Sequence, residues 1–223
     1  MKKAILLVLC LGLGLFVLAG CSNNSEPFEE KSYMPDTQVS EIHLDVRDRE
    51  IVVSLSEDEQ VHIGYSENSK EYYNISVSDE GVLTMASASD KEWRDYIGGK
   101  PSAEDRKIVL QIPDKLLDNL SLSTTNEDVS LPALAVKGSI SVSSNGGNIT
   151  FQTLDVGNAL TLTVKNGNIS GTIAGSYDDF AIQTKIKKGE SNLPEQKDGG
   201  TKMLNVSCNN GDVSIDLKGS ATH

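Results

Sequence analysis

Four stretches decide the fold: LSLSTTNEDVSL (Leu120–Leu131), ISVSSNGGNITF (Ile140–Phe151), LTLTVKNGNISG (Leu160–Gly171) and LNVSCNNGDVSI (Leu204–Ile215). Each opens with two alternating apolar residues, crosses a polar stretch holding Asn or Gly, reaches an acidic or amide residue, and closes on a β-branched one. A degenerate copy, IQTKIKKGESNL, runs from Ile182 to Leu193, so successive copies start 20, 20, 22 and 22 residues apart. A fixed period in this range is the mark of stacked repeats. Alternation with period two means strands with one buried face. In the second copy the apolar sets are Ile140 and Val142, Ile149 and Phe151, then Leu154 and Val156, separated by Asn145-Gly146-Gly147-Asn148 and followed by Gly157-Asn158. Glycine and asparagine accept the left-handed backbone that tight corners need. Three short strands and three corners per copy predict one coil of a parallel β-helix or β-solenoid, whose inner face is buried only when neighbours stack. The alternative is a β-sandwich of hairpins, because Asn-Gly between apolar alternations is also a hairpin signal.

Upstream the phrase is worn. Ile42-x-Leu44-x-Val46 leads to Ile51-x-Val53, and Val61-x-Ile63-x-Tyr65 adds a strand. Ile75-x-Val77-Ser-Asp-Glu-Gly-Val82-x-Thr84 reads as a hairpin, and Ile108-x-Leu110-x-Ile112-Pro113 closes this section. Residues 86–107 interrupt it with charges, Gly98-Gly99 and Pro101. Beyond one turn around Lys115–Asp118, no helix is expected.

The N-terminus reads as an export signal. Lys2 and Lys3 precede an uncharged run from Ala4 to Ala19 that ends in Leu18-Ala19-Gly20-Cys21. A basic start, an apolar middle and small residues before a cleavage point define a secretory signal peptide. The run is shorter than the roughly 20 apolar residues that span a bilayer. Leu-Ala-Gly-Cys resembles the lipobox of bacterial lipoproteins at all four positions. That resemblance implies cleavage before Cys21 and a diacylglyceryl thioether on its sulfur. The expected division is a signal peptide over 1–20 and a lipidated cysteine with a flexible acidic tether over 21–38. A β-strand-repeat domain follows over 39–218, irregular to 118 and regular from 119. Removal of the signal leaves Cys208 as the single thiol of the domain, so no disulfide framework is expected. The phase Leu204-x-Val206-x-Cys208 turns that thiol inward.

Leu110-x-Ile112-Pro113 and the Asn-Gly-Asp/Asn-Val/Ile phrases at 166–169 and 210–213 are similar to a family of bacterial envelope proteins called putative adhesins. The resemblance covers residues 39–217. It implies an extracytoplasmic all-β domain with an adhesin-like or envelope-stress-related role, and it carries no catalytic residues.

Composition narrows the function. With 32 acidic and 20 basic residues the formal charge is −12, which argues against a nucleic-acid partner. Without residues 1–20 the charge becomes −14. Residues 21–118 hold −12 of it (10 basic, 22 acidic) and residues 119–223 only −2 (8 basic, 10 acidic). His43 and His62 lie between inward apolar positions and should face outward, and His223 is terminal. No H-E-x-x-H, C-x-x-C, G-x-S-x-G or P-loop occurs, so no metal, cofactor or catalytic constellation is expected. The column Asp128, Asn148, Asn168, Glu190 and Asp212 should close turns through backbone amides rather than hold calcium. Lys91-Glu92-Trp93-Arg94-Asp95-Tyr96 contains the only tryptophan, in the irregular insertion. Loops carry function more often than repeat cores, so Trp93, Arg94 and Tyr96 are the candidate recognition residues. The expected protein is a lipid-anchored, extracytoplasmic, non-catalytic binding or scaffolding module. Its membrane contact is the lipid, and its partner is an envelope protein or glycan. A stress-sensing regulatory lipoprotein and a carbohydrate-active β-helix enzyme are the alternatives.

Overall fold

A computed structural model describes residues 26–92, 100–114 and 117–219. The first 25 residues and the recognition residues Trp93, Arg94 and Tyr96 lie outside them, as does the lipidation site Cys21.

The regular structure of the described chain is almost entirely strand. The irregular half contains β1 (Glu29–Tyr33), β2 (Glu41–Asp45), β3 (Glu50–Leu55), β4 (His62–Glu67), β5 (Glu71–Val77), β6 (Val82–Ser89) and β7 (Lys107–Ile112). The repeats contain β8 (Asn119–Thr124), β9 (Val129–Leu131), β10 (Leu134–Val136), β11 (Ser139–Ser144), β12 (Ile149–Val156), β13 (Ala159–Asn166) and β14 (Ile169–Ala174). After them come β15 (Phe180–Lys188), β16 (Gln196–Lys197), β17 (Lys202–Asn210) and β18 (Val213–Lys218). Two 3-10 turns, Glu104–Arg106 and Tyr177–Asp179, are the helical pieces described.

These strands form two nine-stranded mixed sheets, neither of them closed. Sheet I runs β1-β4-β7-β3-β9-β12-β14-β18, with β10 also beside β12, and sheet II runs β16-β15-β17-β13-β11-β8-β2-β6-β5. From β8 to β14 the chain passes back and forth between them, with β8, β11 and β13 in sheet II and β9–β10, β12 and β14 in sheet I. β15, β16 and β17 then all join sheet II before β18 returns to sheet I. The twenty-residue period becomes parallel register: Leu120 lies beside Ile140, Ile140 beside Leu160, and Leu160 beside Leu204. Val129, Ile149, Ile169 and Val213 form the matching row in sheet I. Inward residues of both sheets share one hydrophobic cluster, with Phe180 the largest fully buried side chain. Each fully buried Leu, Ile or Val contributes roughly 1.5–3 kcal/mol, so rows of identical phase make stacking favourable at every step.

Three features differ from the expected coil. The second and third apolar sets of a copy fuse: β12 runs unbroken from Ile149 to Val156, and its register with β14 shifts between Thr150 and Thr153. In the first copy Pro132 interrupts the same path, leaving β9 and β10 separate. Proline supplies no ladder donor, which explains the break. The copies also do not stack in chain order. β17 lies between β13 and β15, with Leu204 beside both Leu160 and Ile182, so the degenerate copy is outermost. The same shuffle occurs at the other end, where β2 lies between β8 and β6. Finally, the segment expected as a tether contributes a strand. β1 pairs antiparallel with β4, Tyr33 packs on the core, and Lys31 Nζ lies 2.8 Å from Glu67. It has no apolar alternation because an edge strand is fixed by its backbone ladder. The expected hairpin is present, β5 pairing antiparallel with β6.

Candidate binding face

Sheet II turns every second residue away from the core. Parallel register brings these residues into straight ranks across the strands. One rank is Ser76, Thr84, His43, Ser121, Ser141, Thr161, Asn205, Gln183 and Gln196, one residue from each of the nine strands. All nine are polar, and none is a carboxylate, lysine or arginine. At about 4.8 Å per strand the rank is roughly 38 Å long. Two residues further along the strands lies a second rank, with Asp45, Ser123, Ser143, Thr163, Ser207 and Lys185 among its members. Over β13, β17 and β15 the face sinks into a trough of about 380 Å³, walled by Glu195 and Gln196. A second depression of about 530 Å³ lies between residues 34–39 and Glu59, Gln60, Val61 and Pro113.

The corner column behaves as structure. Asp128 Oδ1 accepts from the Asn148 amide at 2.7 Å, Asn148 Oδ1 from Asn168 at 2.9 Å, and Asn168 Oδ1 from Asp212 at 2.8 Å. Asp212 Oδ1 accepts from Glu190 at 2.9 Å. The side chains of Asp128, Asn148, Asn168 and Asp212 therefore each satisfy a backbone donor of a neighbouring copy rather than one within their own turn. Cys208, fully buried behind this corner, points its thiol at the carbonyls of Gly167 and Gly211 (3.5 and 3.3 Å), and burial pushes its pKa up. A buried protonated thiol is inert. Among the described residues no group of three or more His, Cys, Asp or Glu converges on a metal position.

The candidate recognition insertion is visible through its flanks. Lys91 Nζ lies 2.6 Å from Glu71, and Lys100 Nζ lies 3.6 Å from Glu127, to which Arg106 is also paired. Glu71 in turn holds Arg49, whose side chain is 4% exposed. The Arg49 guanidinium donates to Glu71 at 3.0 Å, to Tyr73 Oη at 2.6 Å and to the carbonyls of Asp48 and Arg47 at 3.1 and 3.4 Å. Burial disfavours its charge, but Tyr73 and Glu71 outweigh this and hold its pKa above the usual value. A buried arginine with four of its five N–H donors bonded in this way is a brace. His43 and His62 face outward as expected, His43 bonded to Glu41 at 2.5 Å and His62 to Asp58 at 2.8 Å.

The polar rank escaped the sequence reading, although its members stand in the same alternation as the core. Reading Ser121, Ser141, Thr161 and Asn205 at the spacing of their apolar neighbours would have found it.

A two-sheet, all-β domain of in-register strand repeats with a polar rank across one sheet is the class these features define. The chain belongs to the Toastrack DUF4097 family, whose model matches residues 39–218. It is similar in fold to a putative cell adhesion protein from Clostridium sporogenes, at 12% identity and a TM-score of 0.51, over 85% of this chain and 100% of that one. A putative adhesin from Bacteroides fragilis aligns at 14% identity and a TM-score of 0.35, over 87% of this chain and 98% of that one. One from Parabacteroides merdae aligns at 18% identity and a TM-score of 0.36, over 86% and 79%. No curated protein matches the chain.

Proposed function

We propose that this chain is a lipid-anchored, extracytoplasmic protein of the bacterial envelope that binds a partner in an adhesin-like way, without catalysis. The observation that carries this reading is the nine-residue polar rank on the outward face of sheet II, a surface able to bond a partner along its whole length. The adhesion-related names of the structural neighbours support the same role. The fold itself is best described as a β-solenoid of two strands per coil. Its coil order is shuffled at both ends, on the strength of the parallel registers at constant spacing.

Anchoring rests on the Leu18-Ala19-Gly20-Cys21 sequence. Cys21 would carry the lipid on its sulfur. Among the described residues no helix is long and apolar enough to cross a membrane. Glu26 is already tied to the domain, its carbonyl accepting from Asn68 Nδ2 at 3.1 Å and its carboxylate from the Ser69 hydroxyl. Five peptide steps from Cys21 to Glu26 reach at most about 18 Å, so the β1–β5 end would stand close to the bilayer. The trough, at the opposite end of sheet II, would then project away from it.

The test has two arms. Cys21→Ser should move the full chain from the membrane fraction to the soluble one; continued partitioning with membranes would remove the anchor. Cells displaying the full chain should be retained on immobilised envelope material more than cells displaying none. Equal retention would remove the binding role.

A further inference from the structure

We infer that the trough at the β15–β16 end of sheet II is a binding site for a neutral polysaccharide chain lying across the strands. This rests on the binding role proposed above and names its ligand class and its site. The floor carries Thr161 and Thr163 from β13, Asn205 from β17 and Gln183 from β15, and the wall carries Gln196 and Glu195. Side-chain amides both donate and accept, and hydroxyls do the same, so this lining matches the paired hydroxyls of a sugar ring. The charges of the lining are one lysine, Lys185, and one glutamate, Glu195, which cancel. A polyanion or polycation therefore finds no net charge in the lining to favour it. Protein partners are held through buried aromatic and arginine anchors set in apolar pockets; the trough lining contains neither an aromatic residue nor an arginine.

Geometry sets the direction of the chain. Ranks along a strand are about 6.8 Å apart and strands about 4.8 Å apart. A pyranose ring fits between two ranks, and one sugar unit advances by about one strand. Gln196 stands opposite Gln183, so the rank continues from floor to wall. Affinity should rise with sugar number until the strands of the trough are spanned, and then level off.

The experiment is calorimetric titration of the full chain in detergent micelles with cellobiose, cellotetraose, cellohexaose and chitotetraose, with dextran sulfate as the charged control. The expected result is binding by the neutral tetramers, weaker binding by the dimer, and little gain from tetramer to hexamer. Gln183→Ala with Asn205→Ala should weaken tetramer binding about tenfold, the equivalent of one to two hydrogen bonds. Ser214→Ala, exposed on β18 in sheet I, should leave it unchanged, with circular dichroism confirming that both variants are folded. Undiminished affinity in the double variant would overturn the trough as the site. Binding of dextran sulfate in preference to the neutral sugars would overturn the ligand class. Absence of sugar binding, with retention on envelope material intact, would overturn this inference and leave the proposed binding role standing. Loss of both would overturn both.

Discussion

Gly211→Ala tests whether the strands are held in register by contact at the glycine corner. Gly211 has φ +144° and lies against Gly167; a Cβ there would come within 2.6 Å of the Gly167 carbonyl carbon and 3.0 Å of Asn168 Oδ1, and closer still to the Gly167 carbonyl oxygen. Ordinary contact begins near 3.4 Å, so the two strands must part by at least about 0.8 Å. That opening stretches the bonds from Gly167 N to Asn210 O (2.9 Å) and from Asp212 N to Asn168 Oδ1 (2.8 Å) past useful hydrogen-bond length. Two lost bonds cost about 2 kcal/mol, and an alanine in left-handed backbone adds about 1 kcal/mol. The expected loss is therefore about 3 kcal/mol. Gly199→Ala is the control: φ is +88°, but nothing lies within 4 Å of the added carbon, so only the backbone cost of about 1 kcal/mol remains. Urea titration should give the two variants unchanged slopes and stabilities about 2 kcal/mol apart, with melting points separated by roughly 4–8 °C. Equal losses would refute the contact account of the corner.

Three further outcomes follow from the side chains. Glu71→Gln leaves the Arg49 charge buried without its counter-ion and should cost about 3 kcal/mol, whereas Arg49→Met leaves Glu71 paired with Lys91 and should cost less; the reverse order in urea titration would contradict the brace. Thr184 Oγ1 is buried with no hydrogen-bond partner, so Thr184→Val should raise stability by about 1 kcal/mol, and a drop in melting temperature would show that the hydroxyl is bonded. The Glu41 carboxyl is held below its usual pKa by hydrogen bonds from Asn119 and His43. A lowered folded-state value contributes stability above the ordinary carboxylate range and loses it as pH falls through the folded value. Glu41→Gln should therefore make the acid side of the stability profile shallower, and an unchanged profile would count against those bonds.

The repeat phrase carried the strand positions and their registers, because apolar residues at period two and copies at period twenty leave little freedom in which rows align. It could not carry the order of the strands. Ile182 fits beside Leu204 as well as beside Leu160, since the buried row presents the same kind of surface to either neighbour. Nor could the phrase show that β12 is one strand, because a register shift with β14 near Thr150 absorbs what looked like a corner. β1 was hidden for a different reason: Glu29-Glu30-Lys31-Ser32-Tyr33 buries little, and its backbone ladder with β4 leaves no trace in hydropathy. The candidate site divides likewise. The outward histidines and the inward thiol followed from alternation, whereas the polar rank needed the true neighbours of each strand.

The position of β17 has a mechanical meaning. It is flanked on both sides by parallel ladders, seven paired positions with β13 and eight with β15. A pull on the chain beyond β18 first loads β18, the edge strand of sheet I, and only then β17, which lies inside the stack and cannot be peeled away one bond at a time. It must slide against two neighbours together, in the direction that loads many bonds at once. If the chain is anchored and held at the trough as proposed, that arrangement places a shear-resistant strand beneath the point where the load enters.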